Sequence, residues 1–416
     1  MALATEKLIP LSTAARFDIC ATCGPGSQVV ASDILAHSIT RLFRPGGKPF
    51  SVFKVLMSDA CAYDCLYCVN RANRPFRRHA FKPDELAAAF MELHRRDLVT
   101  GLFLSSGVHG SPADTMDDMI TAVEILRQKH CFPGYIHLKI LPGAPRDCVE
   151  RAVELADRVS VNMEAPTQRS LDKLATKKHL SEDIIQRMHW IHQAAQRAGE
   201  DKLKSGQTTQ FVVGPAGESD HEILTSVVAL RRSVALRRAY FSAFDPVSDT
   251  PLAGEPPTPP LRQHRLYQAE WLLREYGFQL GEIPFDETGK LPLDTDPKVS
   301  FALRNLHLFP LEVNRATRAE LLRVPGIGPR SASRILAARR KRPISSLAEL
   351  RALGLTVRRA ASFLLCNGRR MGKLADAALP ASGALRSTSL FREHPVSPEQ
   401  LDLGLSSPSE AVLRAL

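Results

Sequence analysis

The 416-residue chain lacks any run near the roughly 20 apolar residues that a membrane-crossing helix needs, so no membrane partner is expected. Its opening residues, MALATEKLIPLSTAARF, lack the apolar stretch of a secretory leader, and a cytoplasmic location is expected. Cysteine is sparse. Eight in all are too few for a disulfide scaffold and agree with a reducing compartment. No unit of roughly 20–50 residues recurs, which excludes a solenoid. Acidic residues fall short of basic ones, 44 against 55, for a net charge of +11. The shortfall is local: residues 312–373 hold 15 Lys and Arg against Glu312, Glu320 and Glu349. A solvated helix face is the plain reading of such a segment, but this concentration points instead to a polyanion partner.

Residues 50–245 alternate short apolar, β-branched runs with helical patterns. Strands are expected at Phe50–Met57, Gly101–Ser105, Gly134–Ile140, Arg158–Met163, Thr208–Val213 and Ala239–Phe244. Helices are expected at Pro83–Asp97, Thr115–Lys129, Arg146–Ala156, Ser181–Ala198 and Ser219–Ser233. Strands separated by helices require parallel crossovers, so the class is α/β: a partial (β/α)6 TIM-like barrel with chemistry at the strand C-terminal ends. Residues 1–49 form an N-terminal extension. Residues 246–311 are a Pro-rich connector with a helix, His264–Tyr276, packed on the core. Residues 312–373 are helical by pattern and predict a small all-α domain, and 374–416, rich in Ser, Pro and Ala, a partly disordered tail.

The run CAYDCLYC follows the first expected strand and places Cys61, Cys65 and Cys68 in Cys-x3-Cys-x2-Cys spacing. Three thiolates in one loop can bind three irons of a 4Fe-4S cluster and leave the fourth open to a small molecule. A zinc site with His79 as a fourth ligand, or three thiols without metal, are the alternatives. Cys20 and Cys23 form a Cys-x2-Cys pair that reads as a redox pair, a hydrogen-atom donor, half of a second metal site, or two unrelated buried thiols. Arg71, Arg74, Arg77 and Arg78 follow the cysteines, either as a solvated loop or as anion contacts at the barrel mouth.

On these residues the chain resembles the radical S-adenosylmethionine (SAM) superfamily, whose hallmark is Cys-x3-Cys-x-aromatic-Cys. The resemblance implies a 4Fe-4S cluster on Cys61, Cys65 and Cys68, with SAM chelated at the open iron and Tyr67 near the adenine. SAM would be cleaved reductively to a 5′-deoxyadenosyl radical, with electrons from an external donor such as flavodoxin or ferredoxin. Ser105, Ser106 and Gly107 stand where the family commonly has a Gly-Gly-Glu-like turn. Asn162 and Glu164 resemble ribose or carboxylate contacts, and Gln210 follows the pattern of the adenine wall. Cys20 and Cys23 are the catalytic candidates.

A second motif, Leu321 to Ala332, resembles a helix-hairpin-helix. A helix near Thr317–Arg323 meets a Gly326-Ile327-Gly328 turn, and a second runs from Pro329 to Arg339. Free N–H groups at that second helix, with Arg330, Arg334 and Arg339, suit phosphate rather than base contacts. A packed turn between two helices is the plainer reading. Both motifs in this order, with Phe309-Pro-Leu-Glu-Val-Asn-Arg315, resemble the bacterial radical SAM proteins described as DNA modification/repair proteins, over residues 5–370. DNA is therefore the expected partner, with a protein of DNA metabolism as a further one. Radical modification of RNA or tRNA, and a non-enzymatic DNA binder with a structural cluster, remain as alternatives.

Overall fold

Six apolar runs separated by helices become six parallel strands, because each crossover helix buries one stripe against the sheet. The computed structural model describes residues 2–15, 39–42, 50–199 and 202–372. The elements of the first part are α1 (Ala2–Ala14), β1 (Ile39–Leu42), β2 (Phe50–Leu56), α2 (Pro83–Arg95), β3 (Gly101–Ser105), α3 (Pro112–Glu124) and β4 (Tyr135–Lys139). They continue with α4 (Arg146–Leu155), β5 (Arg158–Ser160), α5 (Gln168–Asp172), α6 (Gln186–Ala198), β6 (Gln207–Val213), α7 (Asp220–Val234) and β7 (Arg238–Ala243).

The sheet order is β1-β2-β3-β4-β5-β6-β7, with β1 antiparallel to β2 and β2 to β7 parallel. Among the described residues its two end strands do not pair with each other, so it is a curled half-barrel. The antiparallel β1 was not expected from the sequence. Two expected helices are instead composite: α3 runs into a π-helical turn at Ile125–Lys129, and α6 is preceded by one at Leu180–Ile185.

Alternation along the strands sorts the two faces. Phe53, Leu102, Leu104, Ile136, Leu138, Phe211 and Phe241 are fully buried. Gln207 shows which face the helices cover, since its Nε2 donates to the carbonyls of Met188 in α6 and Val234 in α7. Helix α2 illustrates the local logic. Pro83 opens it, Glu85 Oε2 accepts the Lys82 N–H at 3.0 Å, and Leu86, Ala87, Phe90 and Leu93 form its buried stripe. Each such large side chain contributes about 1.5–3 kcal/mol by leaving water.

The chain divides into two compact units. One is built from residues up to Glu218 with 229–258, and the other from 219–228 with 259–372 among the described residues. The second unit holds α8 (Pro260–Glu275), α9 (Pro297–Arg304), β8 (Leu311–Glu312), α10 (Arg318–Arg323) and α11 (Pro329–Arg339). It ends with α12 (Leu347–Ala352), α13 (Val357–Ala360), β9 (Leu364–Cys366) and β10 (Arg369–Arg370).

The expectation of an all-α C-terminal part is corrected here. Strands β8, β9 and β10 form a three-stranded sheet in the order β10-β9-β8. Its hairpin turns on Asn367 (φ 50°) and Gly368 (φ 75°), the positive-φ pair that a tight two-residue turn demands. Glu312 closes the arrangement by accepting the N–H groups of Asn367 and Gly368.

Candidate functional site

The cysteine loop leaves the C-terminal end of β2 and is tied down by backbone rather than by side-chain bulk. The Gly107 N–H donates to the Ser58 carbonyl at 2.7 Å, and the Ala62 N–H to the Val108 carbonyl at 2.7 Å. A Cβ at position 107 would stand 2.4 Å from the Ala60 carbonyl oxygen and 3.2 Å from Cys61 Cβ, so only glycine fits there. Ser106 adds its hydroxyl, which accepts the Ser58 N–H at 3.2 Å, while Ser105 is buried at the end of β3. The turn expected to contact a ligand therefore also braces the loop that holds the cysteines.

Two of the three sulfurs accept backbone N–H groups: Cys61 Sγ from Val108 and Cys68 Sγ from Asn70, both at 3.4 Å. Burial raises the Cys65 and Cys68 thiols above their ordinary range. Arg78 is a clamp rather than a mouth contact. Its guanidinium donates to the carbonyls of Asp59, Asn70, Arg71 and Arg74 at 2.6–3.0 Å, and packs 3.7 Å from the Phe76 ring centroid. Arg74 donates to the Val69 carbonyl and Arg77 pairs with Glu6. His79, the alternative zinc ligand, directs Nδ1 at Asp59 Oδ2 (3.3 Å) while its N–H meets Asp59 Oδ1.

Glu164 lies just beyond β5 in a left-handed conformation (φ 60°), a strained state that non-glycine residues adopt where structure forces it. Its backbone is pinned on both sides. The Glu164 N–H donates to the Gln210 carbonyl at 3.0 Å and its carbonyl accepts the Val212 N–H at 2.8 Å. Its carboxylate Oε1 meets Lys178 Nζ at 3.2 Å, with both side chains less than a tenth exposed. Oε2 is buried without a partner. Lys178 belongs to no motif legible in the sequence. Burial works against its charge, but the Glu164 carboxylate, together with Cys65 and Cys61 whenever they are ionised, outweighs that and raises its pKa. Burial and then the Glu164 charge push the Tyr67 phenol well up, so Tyr67, Glu164, Lys178 and Cys65 share one cluster. Asn162 accepts from Lys139 Nζ at 2.6 Å. Cys20 and Cys23 lie outside the described residues.

These residues fit the cofactors expected. Among the described residues no three His, Cys, Asp or Glu side chains are set to grip a single metal ion. A cubane asks for something else: three sulfurs on three irons, supplied by one loop and steadied by N–H donors. Glu164 Oε2, buried without a partner, is an acceptor that an ammonium or hydroxyl donor would satisfy.

In the second unit, Thr317 caps α10 by accepting the Glu320 N–H on its hydroxyl, and Glu320 Oε2 in return accepts the Thr317 N–H. The chain then turns through Gly326 (φ 84°) to Gly328, which precedes Pro329 at the start of α11. A Cβ on Gly326 would meet the Thr356 carbonyl oxygen at 2.8 Å, so this glycine serves packing as well as the turn. Ile327 is buried and its carbonyl accepts Lys298 Nζ at 2.5 Å. Arg330 and Arg334 are exposed, and Arg334 Nη1 donates to the Leu353 carbonyl at 3.3 Å. Arg339 is half-buried and donates to the carbonyls of Val313 and Ala316 at 2.8 and 2.7 Å. Arg340, Lys341 and Arg342 are exposed.

Comparison with known proteins bears on the first unit. The family described as Radical SAM superfamily matches residues 55–228, a span that includes all three loop cysteines. No curated protein matches the sequence of the chain. Among solved structures the chain is similar to methylornithine synthase (PylB), with 14% identity and a TM-score of 0.43, covering 60% of this chain and 66% of that one. It is also similar to the FeFe-hydrogenase maturase HydG from Carboxydothermus hydrogenoformans, with 14% identity, a TM-score of 0.40, and coverage of 52% and 50%. A further HydG structure gives 11% identity and a TM-score of 0.41 over 52% of this chain and 48% of that one. The chain thus spans about half the length of the HydG proteins it matches.

Proposed function

We propose that this chain, whose residues 55–228 match the Radical SAM superfamily, is a radical SAM enzyme that acts on DNA, modifying a base or repairing a lesion. Bound 4Fe-4S cluster and SAM supply reductive cleavage of the sulfonium and a 5′-deoxyadenosyl radical. Cys61, Cys65 and Cys68 hold the cluster, with the N–H groups of Val108 and Asn70 steadying two of the sulfurs. Glu164 offers its unpartnered oxygen to a SAM amino or hydroxyl group, and Lys178 balances the charge of Glu164 and Cys65. Tyr67, Asn162, Gln210 and the Ser105–Gly107 turn complete the nucleoside side of the site.

The observation that supports DNA as the substrate is the charge of residues 312–373, joined to two helices, α10 and α11, that meet at the Gly326–Gly328 turn in a sequence resembling a helix-hairpin-helix. In this reading the N–H groups that open α11 and the exposed Arg330 and Arg334 grip backbone phosphates, which gives weak sequence preference. A base buried in duplex must first be extruded or already unpaired. An external flavodoxin or ferredoxin supplies the electron. RNA is the second reading, since phosphate contacts suit either polymer.

The test is hydrogen transfer. Anaerobically reconstituted protein is given dithionite, SAM and DNA deuterated in its nucleosides, with RNA of the same sequence in parallel. Deuterium in 5′-deoxyadenosine from the DNA arm is the expected result. Transfer from the RNA arm alone would move the substrate to RNA.

A further inference from the structure

Strands β2 to β7 contain not one Asp or Glu, yet they contain Lys54, His137, Lys139, Arg158 and Arg238. The register puts these bases on a single face. Lys54 lies opposite Phe103, Phe103 opposite His137, and His137 opposite Arg158. One layer nearer the cysteine loop, Lys139 lies opposite Ser160, Ser160 opposite Thr208, and Thr208 opposite Arg238. This is the face turned away from the crossover helices, since Gln207, next to Thr208, points to α6 and α7.

The same face leaves polar atoms unsatisfied. His137 Nδ1, Arg158 Nε and Thr208 Oγ1 are buried without partners, although His137 Nε2 meets Ser160 Oγ at 2.9 Å. Buried polar atoms are seldom left unpaired, so three on one face mark it as a place where a polar ligand would find partners. The field there is positive. Burial first, then the charges of Arg158, Lys139 and Lys54, drive the His137 imidazole well below its ordinary range. Aromatic rings stand among the cations: the Phe103 ring centroid lies 4.3 Å from that of His137, and the Arg158 guanidinium donates to the Tyr240 hydroxyl at 3.5 Å.

We propose that this concave face seats the substrate as a nucleotide, its phosphate held by Lys54, Lys139 and Arg158 and its base laid against Phe103 and Tyr240. Cations from three strands exceed what one carboxylate needs, and a phosphate spreads its charge over two free oxygens within a strand and three at a terminus. Aromatic faces among them suit a nucleobase of any identity. The proposal rests on the nucleic-acid reading above and narrows it to where the nucleotide sits.

The experiment is calorimetric titration of the full, reconstituted chain, with SAM already present to fill its own nucleoside contacts. The probes are deoxynucleoside 5′-monophosphates, the matching deoxynucleosides, inorganic phosphate and acetate. Monophosphates are expected to bind about tenfold or more tighter than nucleosides, with inorganic phosphate competing and acetate not. Arg158→Gln should weaken that binding by about tenfold, with partial recovery in Arg158→Lys, while the surface variant Arg95→Ala/Arg96→Ala on α2 leaves it unchanged. Should Arg158→Gln fail to fold by circular dichroism, Lys139→Gln carries the same expectation.

No monophosphate binding to the native chain, equal competition by acetate, or loss only in the surface variant would overturn the proposal. Deuterium transfer from DNA that persists without mononucleotide binding sinks this seat alone. Absence of 5′-deoxyadenosine altogether sinks the reading beneath it.

Discussion

The half-barrel and the basic segment both collect positive charge, and they handle it in opposite ways. In the first unit Lys54, Lys139 and Lys178 are each less than a tenth exposed and set by strand register or by an ion pair. In the second, Arg330, Arg340, Lys341 and Arg342 stand in solvent. A buried cation acts through its position, because low dielectric strengthens each interaction and moving a charge out of water is costly. An exposed cation acts through number, because salt screens it and a flexible stem follows its target. The first arrangement suits a reacting centre, and the second a polymer held at many equivalent points.

The largest expected effect breaks the half-barrel's chemistry outright. Cys65→Ala removes the middle thiol of the loop and should abolish 5′-deoxyadenosine formation, together with the cluster absorbance of the anaerobic protein. DNA binding measured by fluorescence anisotropy should survive in that variant. Retained SAM cleavage in Cys65→Ala would sink the assignment of the loop as the cluster site.

Next in size is Lys178→Met. It leaves Glu164 as an uncompensated buried carboxylate, a loss of about 3–5 kcal/mol in unfolding free energy. Glu164→Gln combined with Lys178→Met should recover much of that loss, because the stranded charge is gone. The contrasting surface pair is Arg342 with Glu349, where the arginine side chain is 70% exposed. Arg342→Ala should leave the melting temperature unchanged. Equal melting curves for Lys178→Met and Arg342→Ala would erase the distinction between the two populations.

These residues also mark how far the sequence could be read. Strand β3 falls at the expected Gly101–Ser105, and the other five parallel strands within a few residues, because apolar periodicity and helix-start residues are local signals. Strand β5 stops at Ser160, short of the expected Met163, as the chain runs on into the left-handed Glu164. Lys178 was illegible for a different reason. It adjoins Lys177, which is exposed, and nothing in two adjacent lysines says which one turns inward. Arg78 likewise reads as one of four basic residues until its guanidinium is seen gathering four carbonyls. The β8–β10 sheet, by contrast, was legible in principle, since Asn367-Gly368 between two short runs is a strong hairpin signal.

The smallest effect separates two arginines within the basic segment. Arg330 is exposed at the start of α11, whereas Arg339 donates to the carbonyls of Val313 and Ala316 and so ties α11 to the loop before α10. Arg330→Ala should weaken duplex binding only a few-fold and lower the slope of log K against log salt by about one, the signature of one lost phosphate contact. Arg339→Ala should lower the melting temperature of the second unit and change that slope less, because its charge is spent on backbone oxygens. If Arg339→Ala moves the slope as much as Arg330→Ala while melting is unaltered, Arg339 lies on the nucleic acid. The basic segment would then contain no division between charges that hold the fold and charges that hold the polymer.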